Sequence, residues 1–148
     1  KASLIYNDAL AKIKHQIVSL KTKPEVKGVI GLVHGDIQDF GKNIVHMTLE
    51  ANGFAVKDLG KSVPAEDVVQ AAREGADFIA ISIMKNDGVE EAKKVVQAVK
   101  EAGVRGQVKV IVGGAGVNAL KAAEIIGADG YAEDAAEVVE LLKIFFRA

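Results

Sequence analysis

The sequence predicts an α/β chain wound on both faces of a five-stranded parallel sheet, and three observations predict it. After residue 27, short β-branched runs alternate with longer amphipathic stretches, and Gly, Asp or Pro marks each change. The alternation is strict. Strands separated in this way by helices pair in parallel through right-handed crossovers, so helices cover the sheet on both sides.

The elements follow in order. Residues 1–22, KASLIYNDALAKIKHQIVSLKT, place Leu4, Ile5, Ala9, Ile13, Ile17 and Leu20 at helical spacing. Lys23 and Pro24 end that helix, because proline has no backbone donor and restrains the residue before it. Residues 1–23 are therefore expected as a leading helix, either the remnant of a helical bundle or a packing helix, and 24–148 as one domain. Strands are expected at GVIGLVH (28–34), FAVKDLG (54–60), DFIAISI (77–83), VKVIVGG (108–114) and GYA (130–132). Helices are expected between and after them at about 41–52, 65–74, 88–102, 117–126 and 134–146.

Composition narrows the function. With 148 residues, 49% of them apolar, the chain can bury a real core, and its length suits a single domain. A net charge of -1 offers no electrostatic footprint for nucleic acid or an anionic membrane. Cysteine is absent, which excludes disulfides and thiolate metal cages. Apolar runs fall short of the roughly 18 residues of a membrane span, and no signal-like leader is seen, so a cytoplasmic protein is the expectation.

In open parallel sheets ligands bind beyond the carboxyl ends of the strands, where strand order reverses. Three loops there carry more small and polar residues than a turn requires: HGDIQDFGKN after the first strand, SIMKNDG after the third and GGAGVN after the fourth. A flavodoxin-like order 2-1-3-4-5 lines them along one edge. On residue type alone, Asp36 and Asp39 read first as helix caps, and Ser82 as a serine bonded to local backbone. Gly35 and Gly41 allow unusual dihedrals or close packing. Gly113 and Gly114 leave a flat surface for a ligand or make a tight turn. Three familiar sites fail. GDIQDFG lacks the middle glycine of a dinucleotide fingerprint, GKN has asparagine where a P-loop needs Ser or Thr, and Ser82 stands where a receiver domain has its aspartate.

Taken together, VHGDIQDFGKNIVHMTLEANGFAVKDLGKSVP, SIM, VGGA and ADGYAEDA closely resemble the cobalamin-binding domain of corrinoid methyltransferase systems, over about residues 24–146. That family's pattern is D-x-H-x-x-G, S-x-L and G-G on a flavodoxin-like, Rossmann-like fold whose core holds the nucleotide tail of B12. The resemblance implies that Gly35, Asp36, Ile37, Gln38, Asp39, Phe40 and Gly41 of the first loop surround the cofactor. With them would stand Ser82, Met84 and Asn86 of the second loop and Gly113, Gly114 and Ala115 of the third. It places Val63 and Pro64 near the corrin, and Tyr131, Ala132, Asp134 and Ala135 near the buried nucleotide.

Two positions depart from the pattern. Met84 replaces the leucine, a volume-conserving exchange. Gln38 replaces the cobalt-ligating histidine, whose second ring nitrogen the family hands to the aspartate and thence to the serine. An amide has no basic nitrogen near neutral pH, so Gln38 is expected to fill that space, hydrogen-bond Asp36 or water, and leave cobalt base-off. His34, four positions before Gln38, is a weaker candidate for a substitute ligand, since it lies at the strand end beside Gly35, whereas His15 and His46 read as ordinary surface or packing histidines.

The resemblance implies a carrier of methylcobalamin that cycles between Co(I) and methyl-Co(III). Its implied partners are a methyl-donor-specific methyltransferase and an acceptor methyltransferase of tetrahydrofolate or coenzyme M type. A non-enzymatic B12 sensor and the small subunit of an adenosylcobalamin mutase are the alternatives. GKNIV and DLG-x-x-VP favour the methyl-transfer branch.

Overall fold

The computed structural model describes residues 25–146. The leading helix expected over 1–23 lies outside them. Five strands form one parallel sheet in the order β2-β1-β3-β4-β5: β1 is Lys27–Val33, β2 Ala55–Val63, β3 Phe78–Ser82, β4 Lys109–Gly113 and β5 Gly130–Ala132. The crossovers are α1 (Phe40–Ala51), α2 (Ala65–Arg73), α3 (Gly88–Glu101) with a following 3-10 turn (Arg105–Gln107), and α4 (Ala119–Lys121). Helix α5 (Ala135–Phe145) closes the chain.

Alternation along each strand divides the core into two layers. Val29, Ile79, Ile81, Val110 and Val112 face one side, where Val68 and Ala72 of α2 and Ala92, Val96 and Val99 of α3 cover them. Ile30, Phe78, Ala80, Ile111 and Ala132 face the other and meet Leu49 of α1 and Val138 and Leu142 of α5. Each large apolar side chain buried this way contributes about 1.5–3 kcal/mol relative to exposure. Central strands apolar at consecutive positions are the natural result of a sheet buried on both faces.

Two elements differ from expectation. Strand β2 runs on to Val63 rather than ending at 60, and its pairing with β1 slips twice: Ile30 faces Asp58, Gly31 faces Gly60, and Val33 faces Val63. These are bulges, each adding one residue to β2. The helix expected over 117–126 has only three α-helical residues before it widens into a π-turn at Ala122–Ile126. There Ala122 O accepts from both Gly127 N and Ala128 N at 3.0 Å, and Gly127 ends the turn at φ +78°. The wide turn keeps Ala122 and Ile126 together in the core layer under α3.

Candidate functional site

The strand register assembles what the sequence scatters. Ile30, Ala80 and Ile111 stand side by side across β1, β3 and β4, and two residues further on Ser82, Gly113 and Ala132 stand side by side across β3, β4 and β5. Residues two apart share a face, so both rows lie under α1 and α5. Between these rows and the two helices is a slot of about 250 Å³, lined also by Gly41, Ile44, Val45, Ala135 and Val138. Its walls are mainly apolar or small, with Lys42, Ser82, Glu133 and Asp134 as polar exceptions. Drug-sized ligands are enclosed by pockets of roughly 300–1,000 Å³, so this slot can take only a flat portion of a large cofactor. A wider groove of about 580 Å³ lies near the amino ends of β1 and β2 and beside α2, lined by Lys27, Ala55, Gln70 and Glu74 among others. None of the motif loops reaches it, and ligands of such sheets bind at the opposite end.

The glycines of this site have different jobs. An added Cβ at Gly113 would sit 2.4 Å from Ala132 O, and one at Gly114, where φ is +116°, would sit 2.3 Å from Ile83 O. These two glycines therefore let neighbouring backbone segments pack on each other, and both also line the slot. Ile83 N donates to Gly113 O and Gly116 N to Ile83 O, both at 2.8 Å, so the second and third loops are locked together. Gly41 is the reverse case: it lines the slot, and an added Cβ would meet no atom within 4 Å.

Asp36 is 2% exposed. Its Oδ2 accepts from Met84 N at 2.7 Å, and its backbone is held at both ends, Asp36 N donating to Val33 O and Asp36 O accepting from Ser62 N. The carboxylate thus ties the first loop to the second through backbone, and no hydrogen bond joins it to Ser82 or Gln38 among the described residues. Neither acid caps α1 with its side chain: Asp39 holds the cap position, and its carboxylate faces Lys61 Nζ at 3.7 Å. Ile37 and Gln38 are exposed on the loop, and Phe40, the first residue of α1, is 79% exposed.

Other expected residues scatter. Met84 lines the slot, whereas Asn86 and Ala115 are exposed. Tyr131 falls on the opposite face and packs under the α3 layer, because it alternates with Gly130 and Ala132. Val63 and Pro64 line a separate cavity of about 250 Å³ with His34 and Glu91. Asp134 lines the slot and caps α5, Oδ1 accepting from Glu137 N at 2.9 Å.

Among the residues of the site that were not anticipated, one is a buried cation. Lys42, in the first turn of α1, is 2% exposed, and its ammonium donates to Asp58 Oδ2 of β2 at 2.5 Å. Burial pushes the Asp58 carboxyl up, but the Lys42 hydrogen bond, the Gly60 amide and the charges of Lys42 and His46 outweigh it and leave it below the usual carboxylate range. The signal was present in the sequence. A cation in the first helical turn, with no acid in that turn, opposes the helix dipole, and once buried it needs a partner elsewhere.

Comparison with known proteins bears on this slot. A family model described as "B12 binding domain" matches residues 26–140. The chain belongs to the B12-binding domain family. Dimethylamine corrinoid protein 3 of Methanosarcina acetivorans is 44% identical over 119 residues, 78% of this chain and 55% of the relative. A novel cobalamin-binding protein from Desulfitobacterium hafniense DCB-2 superposes with a TM-score of 0.79 at 33% identity, covering 82% of this chain and 60% of that one. The methanol:cobalamin methyltransferase complex of Methanosarcina barkeri contains a chain matching at TM-score 0.74 and 28% identity, over 95% of this chain and 54% of that one. This B12-binding domain spans about half the length of the curated relatives it matches. Among its described residues no helix is long and apolar enough to cross a membrane, and no cluster of three or more His, Cys, Asp or Glu could hold a metal ion.

Proposed function

We propose that this chain binds cobalamin and carries a methyl group on it between a methyl-donor-specific methyltransferase and an acceptor methyltransferase. The slot at the carboxyl ends of β3, β4 and β5 carries this reading. It accepts a flat base but not a whole corrinoid, and two of its lining residues join it to the motif loops: Gly41 follows the loop that carries Gln38, and Met84 donates its backbone N–H to the buried Asp36. Gly41, Ser82, Gly113, Ala132 and Ala135 would hold the nucleotide tail, and the loop Gly35–Phe40 would lie under the ring. When bound, cobalamin supplies a cobalt centre that takes up and gives up a methyl group. The protein's part is to grip the tail, shield it from water and set what stands beneath the metal.

Gln38 would offer the metal only an amide without a basic nitrogen, so ligation from this position would be weak. The same observation supports a second reading, a B12 sensor or carrier without turnover. The mutase alternative has less support, because the relatives' names point to methylamine systems. Methylated amines are accordingly the donors to try first, each with its own methyltransferase.

Reconstitution with hydroxocobalamin, followed by electron paramagnetic resonance of the Co(II) state, tests the assignment. A coloured protein without nitrogen splitting is expected, and Gln38→His introduces the splitting. A polypeptide that stays colourless refutes cobalamin binding, and splitting in the unaltered chain refutes the role given to Gln38. Methyl transfer from an amine to cobalamin on this chain separates the carrier from the sensor.

A further inference from the structure

The doubly bulged end of β2 makes three contacts with the loop that carries Asp36 and Gln38. Gly35 N donates to Ser62 Oγ at 2.9 Å, Ser62 N donates to Asp36 O at 2.9 Å, and Lys61 Nζ approaches Asp39 at 3.7 Å. Each bulge adds a residue to β2 without extending β1, so the strand bends and aims consecutive residues, Lys61 and Ser62, at the neighbouring loop.

Ser62 is held in an unusual way. Its φ is +47°, and no other described non-glycine residue has a positive φ. An L-residue resists this conformation, which persists only where the surroundings over-determine it. Here they do so with two hydrogen bonds to one turn, whose Gly35 is itself left-handed at φ +95°. Any residue could have supplied the backbone bond to Asp36, and glycine would have done so without strain. Only a side-chain acceptor reaches the Gly35 amide as well. The hydroxyl is therefore the reason for a serine at a position whose backbone suits glycine.

We propose that Ser62 is a positioning residue: it clamps the turn at Gly35 and Asp36 so that the loop stands in its cofactor-receiving shape before any cofactor arrives. Asp36 is then anchored from three sides, by Val33, Ser62 and Met84, and the direction in which Gln38 leaves the turn is set by β2 rather than by the ligand. The proposal rests on the carrier reading for what the loop receives, while the clamp itself is a property of the cofactor-free chain. Pre-organisation of this kind raises affinity by removing the ordering cost of binding.

The test uses the 148-residue chain with Ser62→Gly, Ser62→Ala and Ser62→Asn, reading the Gly35 amide by hydrogen exchange without cofactor, the thermal midpoint, and hydroxocobalamin affinity. Ser62→Gly relieves the left-handed strain, so its midpoint stays at or above that of the parent. Its Gly35 amide nevertheless exchanges about tenfold faster, and hydroxocobalamin binds about fivefold more weakly, the equivalent of one ordinary hydrogen bond. Ser62→Ala loses both stability and affinity. Ser62→Asn, which tolerates the left-handed region and keeps an acceptor oxygen, recovers affinity to within about twofold. Unchanged exchange and affinity in Ser62→Gly overturn the proposal, as does faster exchange with unchanged affinity. A parent chain that binds no hydroxocobalamin overturns the carrier reading, and the exchange data then still decide whether the clamp exists.

Discussion

Removing Asp58 should destabilise this domain more than removing Lys42, although the two share one contact. The reason is the asymmetry of burial: the Lys42 side chain is 2% exposed and that of Asp58 30%. Asp58→Ala leaves an ammonium in an almost dry site at the positive end of α1, and stranding a buried charge costs about 3–5 kcal/mol. Water entering the vacated space brings the expectation to the lower end, about 3 kcal/mol. Lys42→Met keeps the volume, removes the buried charge, and leaves a partly hydrated carboxylate that still accepts from Gly60 N at 2.8 Å, so about 1 kcal/mol is expected. At roughly 2–4 °C per kcal/mol for a chain of this size, Asp58→Ala lowers the melting midpoint by about 6–12 °C and Lys42→Met by about 2–4 °C. Circular dichroism melts at neutral pH suffice, and the double variant should fall near Lys42→Met alone. Equal losses in the two single variants, or a larger loss in Lys42→Met, refute the reasoning.

Two glycines of the same site should respond oppositely. Gly114→Ala drives a methyl against Ile83 O at a left-handed position and costs about 3 kcal/mol or more, visible as a lower unfolding midpoint. At Gly41 an added Cβ meets no protein atom within 4 Å and the rest of a leucine has the slot to enter, so Gly41→Leu should melt as the parent or slightly higher, yet lose hydroxocobalamin binding by absorbance because the slot is filled. Acid stability follows from the lowered Asp58 carboxyl. A depressed folded value means that its contribution is complete above about pH 4 and is lost as pH falls through the lower, folded value. The difference in midpoint between parent and Asp58→Ala should therefore close only below about pH 4, as melts across a pH series would show.

Local pattern carried much of the fold. The runs at 28–34, 77–83 and 108–114 are too β-branched and too continuously apolar for anything but strands buried on two faces, and the amphipathic 88–102 segment is α3 nearly to the residue. The helix after β4 was legible as helix but not as a π-turn, because the extra residue per turn answers to the packing of Ala122 and Ile126 under α3. The end of β2 was misread at Gly60, where a glycine looked like a stop and is instead part of a bulge.

Of the site, the motif loops and their convergence on one sheet edge were readable in the residues themselves, since spacing and strand order determine which loops meet. Which partner each side chain takes was not. Lys42 and Asp58 are 16 residues apart, Gly35 and Ser62 are 27, and Asp36 and Met84 are 48, so their meeting depends on register and on two bulges that no local pattern encodes. Hydrophobic period and turn chemistry are short-range properties that a sequence states directly. Backbone segments packed together at Gly113 and Gly114, a buried ammonium paired across α1 and β2, and a serine in left-handed conformation are long-range. They exist only once the sheet has brought its strand ends together.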